Sequence, residues 1–175
     1  MKIGIDIDNT ITNTSILANR LANNIKTCNT YHDLEKNDIK KFLTKYLDDI
    51  VYNVTLKDNV LDVLNKWQSK GYKIIFITAR GTDNVDELVN EKAIYLTSIY
   101  FKKMNIPFDE IVFFKNSKAD TCKKYELDVF IDDKESVLDE VRDKKINTIR
   151  FTDSESKHKT ARSWHDVDKI IEEMG

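Results

Sequence analysis

Two aspartates lie two residues apart near the start of the chain: Asp6 and Asp8, in the run Lys2-Ile3-Gly4-Ile5-Asp6-Ile7-Asp8-Asn9-Thr10. Apolar residues alternate into this run, which predicts a buried strand, and residues two apart on a strand share a face. The pair therefore sets two like charges close together at a strand end. That costs free energy unless a cation or a shared proton neutralises it. A hard divalent ion such as Mg2+, which prefers oxygen ligands, would do so. The competing reading is a polar strand end passing into an Asp/Asn turn.

Three more polar clusters follow apolar runs. Thr78-Ala79-Arg80-Gly81-Thr82 closes the run 73–78, Lys115-Asn116-Ser117-Lys118-Ala119-Asp120 follows 111–114, and Ile131-Asp132-Asp133-Lys134 closes 128–131. In open α/β sheets, ligands bind at the carboxyl ends of the strands, near a switch in strand order. Asp6, Asp8, Asp132 and Asp133 of these clusters offer four carboxylates and Thr78 a hydroxyl, beside one or two lysines and an arginine. That is the inventory for holding Mg2+ and a phosphoryl group.

The elements that must position these groups alternate. Strands are expected at 2–7, 73–78, 111–114, 128–131 and 146–151, the middle three nearly continuous in apolar residues, as in a sheet covered on both faces. Helices are expected at 58–69, 84–103, 118–125, 134–144 and 164–174. Thr82 or Asp83 would cap the second of these and Ser163 precedes the last, while Gly71 suits the exit from the first. This alternation predicts an α/β fold: a three-layer α/β/α Rossmann-like core with a mainly parallel five-stranded sheet. Residues 13–57 break the alternation. Ile16, Leu17, Leu21 and Ile25, then Ile39, Phe42, Leu43, Tyr46 and Leu47, recur at helical spacing. They read as a small helical cap inserted after the first strand and lying over its acidic end, with 1–12 and 58–175 forming the core domain. The aromatic residues Tyr31, Phe42, Tyr46 and Tyr52, with His32, suit that insertion's own packing better than a stacking surface for a base.

Composition narrows the classes further. The chain has 175 residues, 41% of them hydrophobic, which suits one domain with a modest insertion. A net charge of −2 leaves no basic footprint for extended nucleic acid. Cys28 and Cys122 form no metal-type spacing and read as free thiols of a cytoplasmic protein. No signal peptide and no run of membrane-spanning length is visible, so no membrane partner is expected.

The four clusters, in this order, resemble the motifs of the haloacid-dehalogenase-like phosphohydrolase superfamily. Asp6-Ile7-Asp8-Asn9-Thr10 matches the first, Thr78 of Ile77-Thr78-Ala79-Arg80 the second, Lys118 the third and Ile131-Asp132-Asp133 the fourth. Within it the Thr-Ala-Arg-Gly segment and the Ile-Asp-Asp ending look most like nucleotidases related to the deoxyribonucleotidases. The resemblance implies a Mg2+-dependent phosphomonoester hydrolase acting on a small phosphorylated metabolite, nucleoside monophosphates first. Asp6 would be the nucleophile, forming an aspartyl-phosphate, and Asp8 the general acid and base. Thr78 and Lys118 would complete the catalytic set, with Lys115 a competitor for the lysine's role. Mg2+ would be held by Asp6, by the backbone carbonyl of Asp8 and by Asp132, with Asp133 a ligand through water or an orienting group. Thr10, Arg80 and Gly81 would face the substrate. Thr10 could instead brace its loop, and Arg80 could instead pair with a nearby Asp. A homodimer is allowed. The alternatives are a phosphatase acting on nucleic-acid ends and a non-hydrolysing phosphate-binding or signalling domain. A dehalogenase is disfavoured because Asp8 is present.

Overall fold

The structure, a computed structural model, describes residues 1–82 and 86–175. Its centre is β1 (Lys2–Ile5), the strand that the opening apolar alternation predicts. β2 (Lys73–Thr78), β3 (Glu110–Phe113), β4 (Val129–Asp132), β5 (Asn147–Phe151) and β6 (Lys159–Ala161) complete the sheet. The order is β3-β2-β1-β4-β5-β6, and every pair is parallel. Chain order therefore runs outward from β1 on one side and returns on the other. The reversal falls at β1 and β4, the place where such sheets bind ligands.

The sheet has six strands rather than the expected five. The polar segment after β5 turns back and pairs Ile149 with Lys159, Arg150 with Thr160 and Phe151 with Ala161. Three residues, Lys-Thr-Ala, carry too little pattern to announce an edge strand.

Helices cover both faces. α3 (Val60–Ser69), α4 (Glu87–Lys103) and α7 (Trp164–Glu172) bury Trp67, Tyr100, Phe101 and Trp164 against Ile3, Ile5, Phe76 and Ile131. α5 (Lys118–Lys124) and α6 (Glu135–Asp143) bury Cys122, Leu138 and Val141 against Ile75, Ile77 and Phe130 on the other face. Each such buried side chain stabilises the fold by about 1.5–3 kcal/mol. Gly4 is the point of closest approach: a Cβ there would sit 2.3 Å from Leu127 Cδ1 and 2.7 Å from Phe130 Cδ2.

One expected helix start shifts. α4 begins at Glu87, and its N-cap is Asp86, whose carboxylate accepts from the Leu88 amide. Thr82, one of two expected caps, instead donates its hydroxyl to the Ala79 carbonyl at 2.8 Å. Asp83, the other, and the first expected helical positions, Asn84 and Val85, lie outside the described residues. Gly71 does end α3, in the left-handed region at φ 75°. Ser163 does cap α7, sharing a capping box with Asp166.

Residues 13–57 hold α1 (Thr14–Ala22), a 3-10 turn at Tyr31–Asp33, α2 (Lys36–Leu47) and a wider π turn at Asp48–Tyr52. A single antiparallel bridge, Thr12 to Leu56, closes the neck of this segment. Its apolar cluster contains Phe42, Leu47, Ile50 and Val51, with Tyr31 and Tyr46 packed against Phe42. Ala93 and Leu96 of α4 complete that cluster, so the segment packs on a core helix as well as on itself. Among the described residues no helix is long and apolar enough to cross a membrane.

Candidate active site

The acidic residues meet because their strands are neighbours. β1 lies beside β4, so the chain leaving β1 at Asp6 emerges next to the end of β4 at Asp132, and the Asp6 amide donates to the Ile131 carbonyl at 2.9 Å. One carboxylate oxygen from each of Asp6, Asp132 and Asp133 lies within 4.8 Å of the other two. Lys118 is the first residue of α5, and the capping of that helix by Ser117 aims it back at the sheet. Its Nζ donates to Asp6 Oδ1 at 2.7 Å and to Asp132 Oδ2 at 2.8 Å. Lys118 is buried, whereas Lys115, its competitor in sequence, is exposed.

The electrostatics follow from this crowding. Burial pushes the Asp6 carboxyl up to about 7, Lys118 opposes the rise, and the charges of Asp132 and Asp8 add to it. Burial likewise raises Asp132 against the pull of Lys118, and raises Asp133 with help from Asp6. Burial would lower Lys118, but the two carboxylates outweigh it and hold the ammonium charged. Three crowded carboxylates that prefer protonation are a site with an unmet demand for positive charge. The donor set is oxygen alone, which fits a hard divalent ion such as Mg2+.

Asp8 stands apart from this cluster. Arg80 grips it with two parallel bonds, Nη2 to Oδ1 at 2.7 Å and Nε to Oδ2 at 3.0 Å. Thr14, the first residue of α1, donates its hydroxyl to Asp8 Oδ1 at 2.6 Å. Burial raises the Asp8 carboxyl, but the Arg80 charge and the bonds from Arg80 and Thr14 outweigh it and set it low. The two aspartates thus occupy the same strand end in opposite electrostatic states.

A cavity of about 220 Å3 opens above these groups. Asp6, Asp8, Lys118, Asp132 and Asp133 line its floor. Tyr31, Leu43, Leu47 and Val51 line the wall from residues 13–57, and Val89, Asn90 and Ala93 line it from α4. Burial and the facing charges of Asp8, Asp133 and Asp6 push the Tyr31 phenol up to about 12. The wall is therefore mostly apolar and the floor almost wholly charged.

The structure chooses between the readings left open for Thr10 and Arg80. Thr10 is fully buried, and its hydroxyl donates to Asp6 Oδ2 at 3.3 Å. Its carbonyl accepts from Trp164 Nε1 at 3.1 Å, so it braces the loop from behind. Thr78 is buried beneath the floor and accepts from the Arg80 amide at 3.1 Å. Arg80 takes the ion-pair alternative. Gly81 lines the cavity at φ 72°, where a Cβ would meet the Asn90 carbonyl at 2.7 Å, so it sets how closely α4 approaches.

Sequence reasoning missed Thr14, Asn90 and Arg150. Arg150 lies across from Asp132 in the β4–β5 register, donates to the Asp133 carbonyl at 3.2 Å and pairs with Glu135 at 2.9 Å. The strand alignment is the signal that could have found it.

No protein-family model matches the chain. In sequence it is 27% identical over 145 residues to "Putative nucleotidase BH1399" of Halalkalibacterium halodurans, covering 76% of this chain and 69% of that one. In structure it matches a predicted phosphatase of Clostridium acetobutylicum with a TM-score of 0.68 at 14% identity, over 98% of both chains. It also matches a haloacid-dehalogenase-superfamily hydrolase of Ehrlichia chaffeensis, with a TM-score of 0.56 at 15% identity over 99% and 96% of the two chains. The chain therefore has the haloacid-dehalogenase-like α/β fold that its four motifs imply, with a buried carboxylate cluster at the switch point of the sheet.

Proposed function

We propose that the protein is a Mg2+-dependent phosphomonoester hydrolase that works through an aspartyl-phosphate, on nucleoside monophosphates or another small phosphorylated metabolite. One observation carries the reading. Asp6, Asp132 and Asp133 converge on one point, with Lys118 bridging Asp6 and Asp132, at the floor of a cavity with Asp8 beside them. The nucleotidase name of the sequence relative supports the substrate class.

Asp6 attacks phosphorus with a carboxylate oxygen while the bond to the leaving oxygen breaks, giving an acyl phosphate on Asp6. Arg80 holds the free Asp8 ionised, so the proton that Asp8 passes to that leaving oxygen arrives with the singly protonated phosphate, and Asp8 then takes one from the water that attacks the acyl phosphate. Lys118 holds Asp6 in place and faces the phosphoryl charge. Asp6, Asp132 and Asp133, with the backbone carbonyl of Asp8, would hold Mg2+. When bound, the ion shields the Asp6 carboxylate from the anionic phosphate and stabilises charge developing there. Residues 13–57 serve as the cap, closing the cavity over the leaving group.

A screen of phosphorylated metabolites, including the common nucleoside monophosphates, tests the reading with Mg2+ and again with a chelator. Hydrolysis that needs Mg2+, with an acid-stable and hydroxylamine-labile phosphoprotein trapped on rapid quench, is the expected result. No turnover of any monoester, or turnover indifferent to chelation, would overturn it.

A further inference from the structure

Arg80 is the most deeply buried cation not bound into the carboxylate cluster, and every one of its donor nitrogens faces the protein. Its side chain is 5% exposed. Nη2 and Nε reach Asp8, Nη1 reaches Thr97 Oγ1 at 3.5 Å, and the backbone amide reaches Thr78 Oγ1. Gly81, the next residue, is pressed against α4 and fixes the segment that carries it. The side-on fork of the guanidinium, Nε with Nη2, is thus spent on Asp8, although Arg80 also lines the cavity.

The two oxygens of Asp8 are loaded unequally. Oδ1 accepts from Thr14 Oγ1, from Arg80 Nη2 and, at 3.2 Å, from Arg80 Nε. Among the described residues Oδ2 accepts from Arg80 Nε alone. A carboxylate oxygen has two lone-pair sites, so Oδ1 is saturated and Oδ2 keeps one site open. Asp8 lines the cavity.

We infer that Arg80 is a positioning residue: its bidentate grip, with Thr14 closing Oδ1, turns Asp8 so that Oδ2 is the oxygen that exchanges protons with the leaving group. A planar fork gripping a planar carboxylate fixes its rotation about the last side-chain bond, which a point charge does not. The inference rests on the hydrolase reading above and adds a residue to it.

The experiment compares two phosphate monoesters that differ in their need for a proton. A nucleoside monophosphate leaves as a strongly basic alkoxide and needs one, whereas 2,4-dinitrophenyl phosphate leaves as a stable phenolate and does not. Arg80→Gln should lower kcat on the nucleotide by about 100-fold, the scale of a lost general-acid contribution, and on the dinitrophenyl ester by less than about fivefold. Arg80→Lys should recover only part of the nucleotide rate. In an Asp8→Asn background, Arg80→Gln should add no further leaving-group discrimination, because the group it positions is gone.

Equal losses on both esters would overturn the inference and leave Arg80 a structural residue. A rise in KM confined to substrates with a second anionic group, with kcat unchanged, would overturn it in favour of anion binding. If Arg80→Gln does not fold, the same split is read from Arg80→Lys. Failure of the hydrolase reading looks different: wild-type protein would turn over neither ester, or Asp6→Asn would turn over both.

Discussion

On the cleft floor Lys118 reaches Asp6 and Asp132, Arg80 reaches Asp8, and the Lys134 amide reaches Asp132 at 2.8 Å. On the wall above, Phe42 packs against Tyr31 and Tyr46, and Ala93 and Leu96 of α4 close the same cluster. Among the described residues no buried side-chain nitrogen or oxygen lacks a partner. The floor is thus held by buried charge, four carboxylates around Lys118 and Arg80, and the wall by volume. Removing Lys118 or Arg80 strands its carboxylate partners in a buried site, a penalty of several kcal/mol. Changing a wall residue alters shape without orphaning anything. Chemistry should therefore be brittle below and selectivity adjustable above.

Asp6→Asn tests the brittle side hardest. Hydrolysis should fall by about 1,000-fold or more, as when a nucleophile is removed. The same change should not weaken the fold. The Asp6 carboxyl is raised from 3.8 to about 7, chiefly by burial, so the folded state holds this proton more tightly than the unfolded chain. Metal-free protein should then lose stability as pH rises from about 4 to about 7, and Asp6→Asn should flatten that slope. Thermal melts in chelator across this range check the sign; a melting temperature that climbs with pH would contradict it.

Lys118→Met is the next largest. It deletes the cation between Asp6 and Asp132 and leaves three carboxylates unbalanced. Breaking a buried pair in this way costs about 3–5 kcal/mol. Metal-free protein should melt well below wild type, Mg2+ should recover part of the difference, and turnover should stay at least about 100-fold down. A melting temperature equal to wild type without metal would mean that the cluster carries no strain.

The same contrast explains what the sequence reveals. Asp6, Asp8, Asp132 and Lys118 are legible because each is tied to the end of a predicted strand or the start of a predicted helix. Strand adjacency then brings them together with no further choice. Arg80 is half legible: its type and place are plain, but a long side chain can reach either a substrate or Asp8, and only the fold chooses. Thr10 is half legible too: a turn hydroxyl can face out or in, and Asn9 at φ 63° turns this loop so that it braces Asp6 from beneath. The wall is the least legible part. It depends on α4 completing the apolar cluster of a segment that lies well before it in the chain, and helical spacing in α2 cannot say which helix it will meet.

Ala93→Leu probes the adjustable side. Ala93 lines the cavity from α4 and also belongs to the cluster beneath Phe42. Added methylenes there narrow the space for a leaving group while the floor stays intact. KM for a nucleoside monophosphate should rise about tenfold, equivalent to about 1.4 kcal/mol of lost binding, with kcat changed far less. A fall in kcat with KM unchanged would place Ala93 with the chemistry and erase the distinction between floor and wall.

The smallest effect concerns the two thiols, one on each side of the same divide. Cys122 lies on α5 behind the floor, fully buried, and burial pushes its thiol up to about 12. Cys28 lies in the segment of the wall and is half-buried. At pH 8 a thiol with so high a pKa is ionised to about one part in ten thousand, and only the thiolate attacks a disulfide reagent. Titration of native protein with such a reagent should therefore count one thiol per chain, with the second appearing only in denaturant. Cys28→Ser should remove the native signal and leave turnover unchanged. Comparable reaction rates for the two thiols would mean that the packing behind the floor opens as readily as the wall does, and the contrast between floor and wall would not extend to α5.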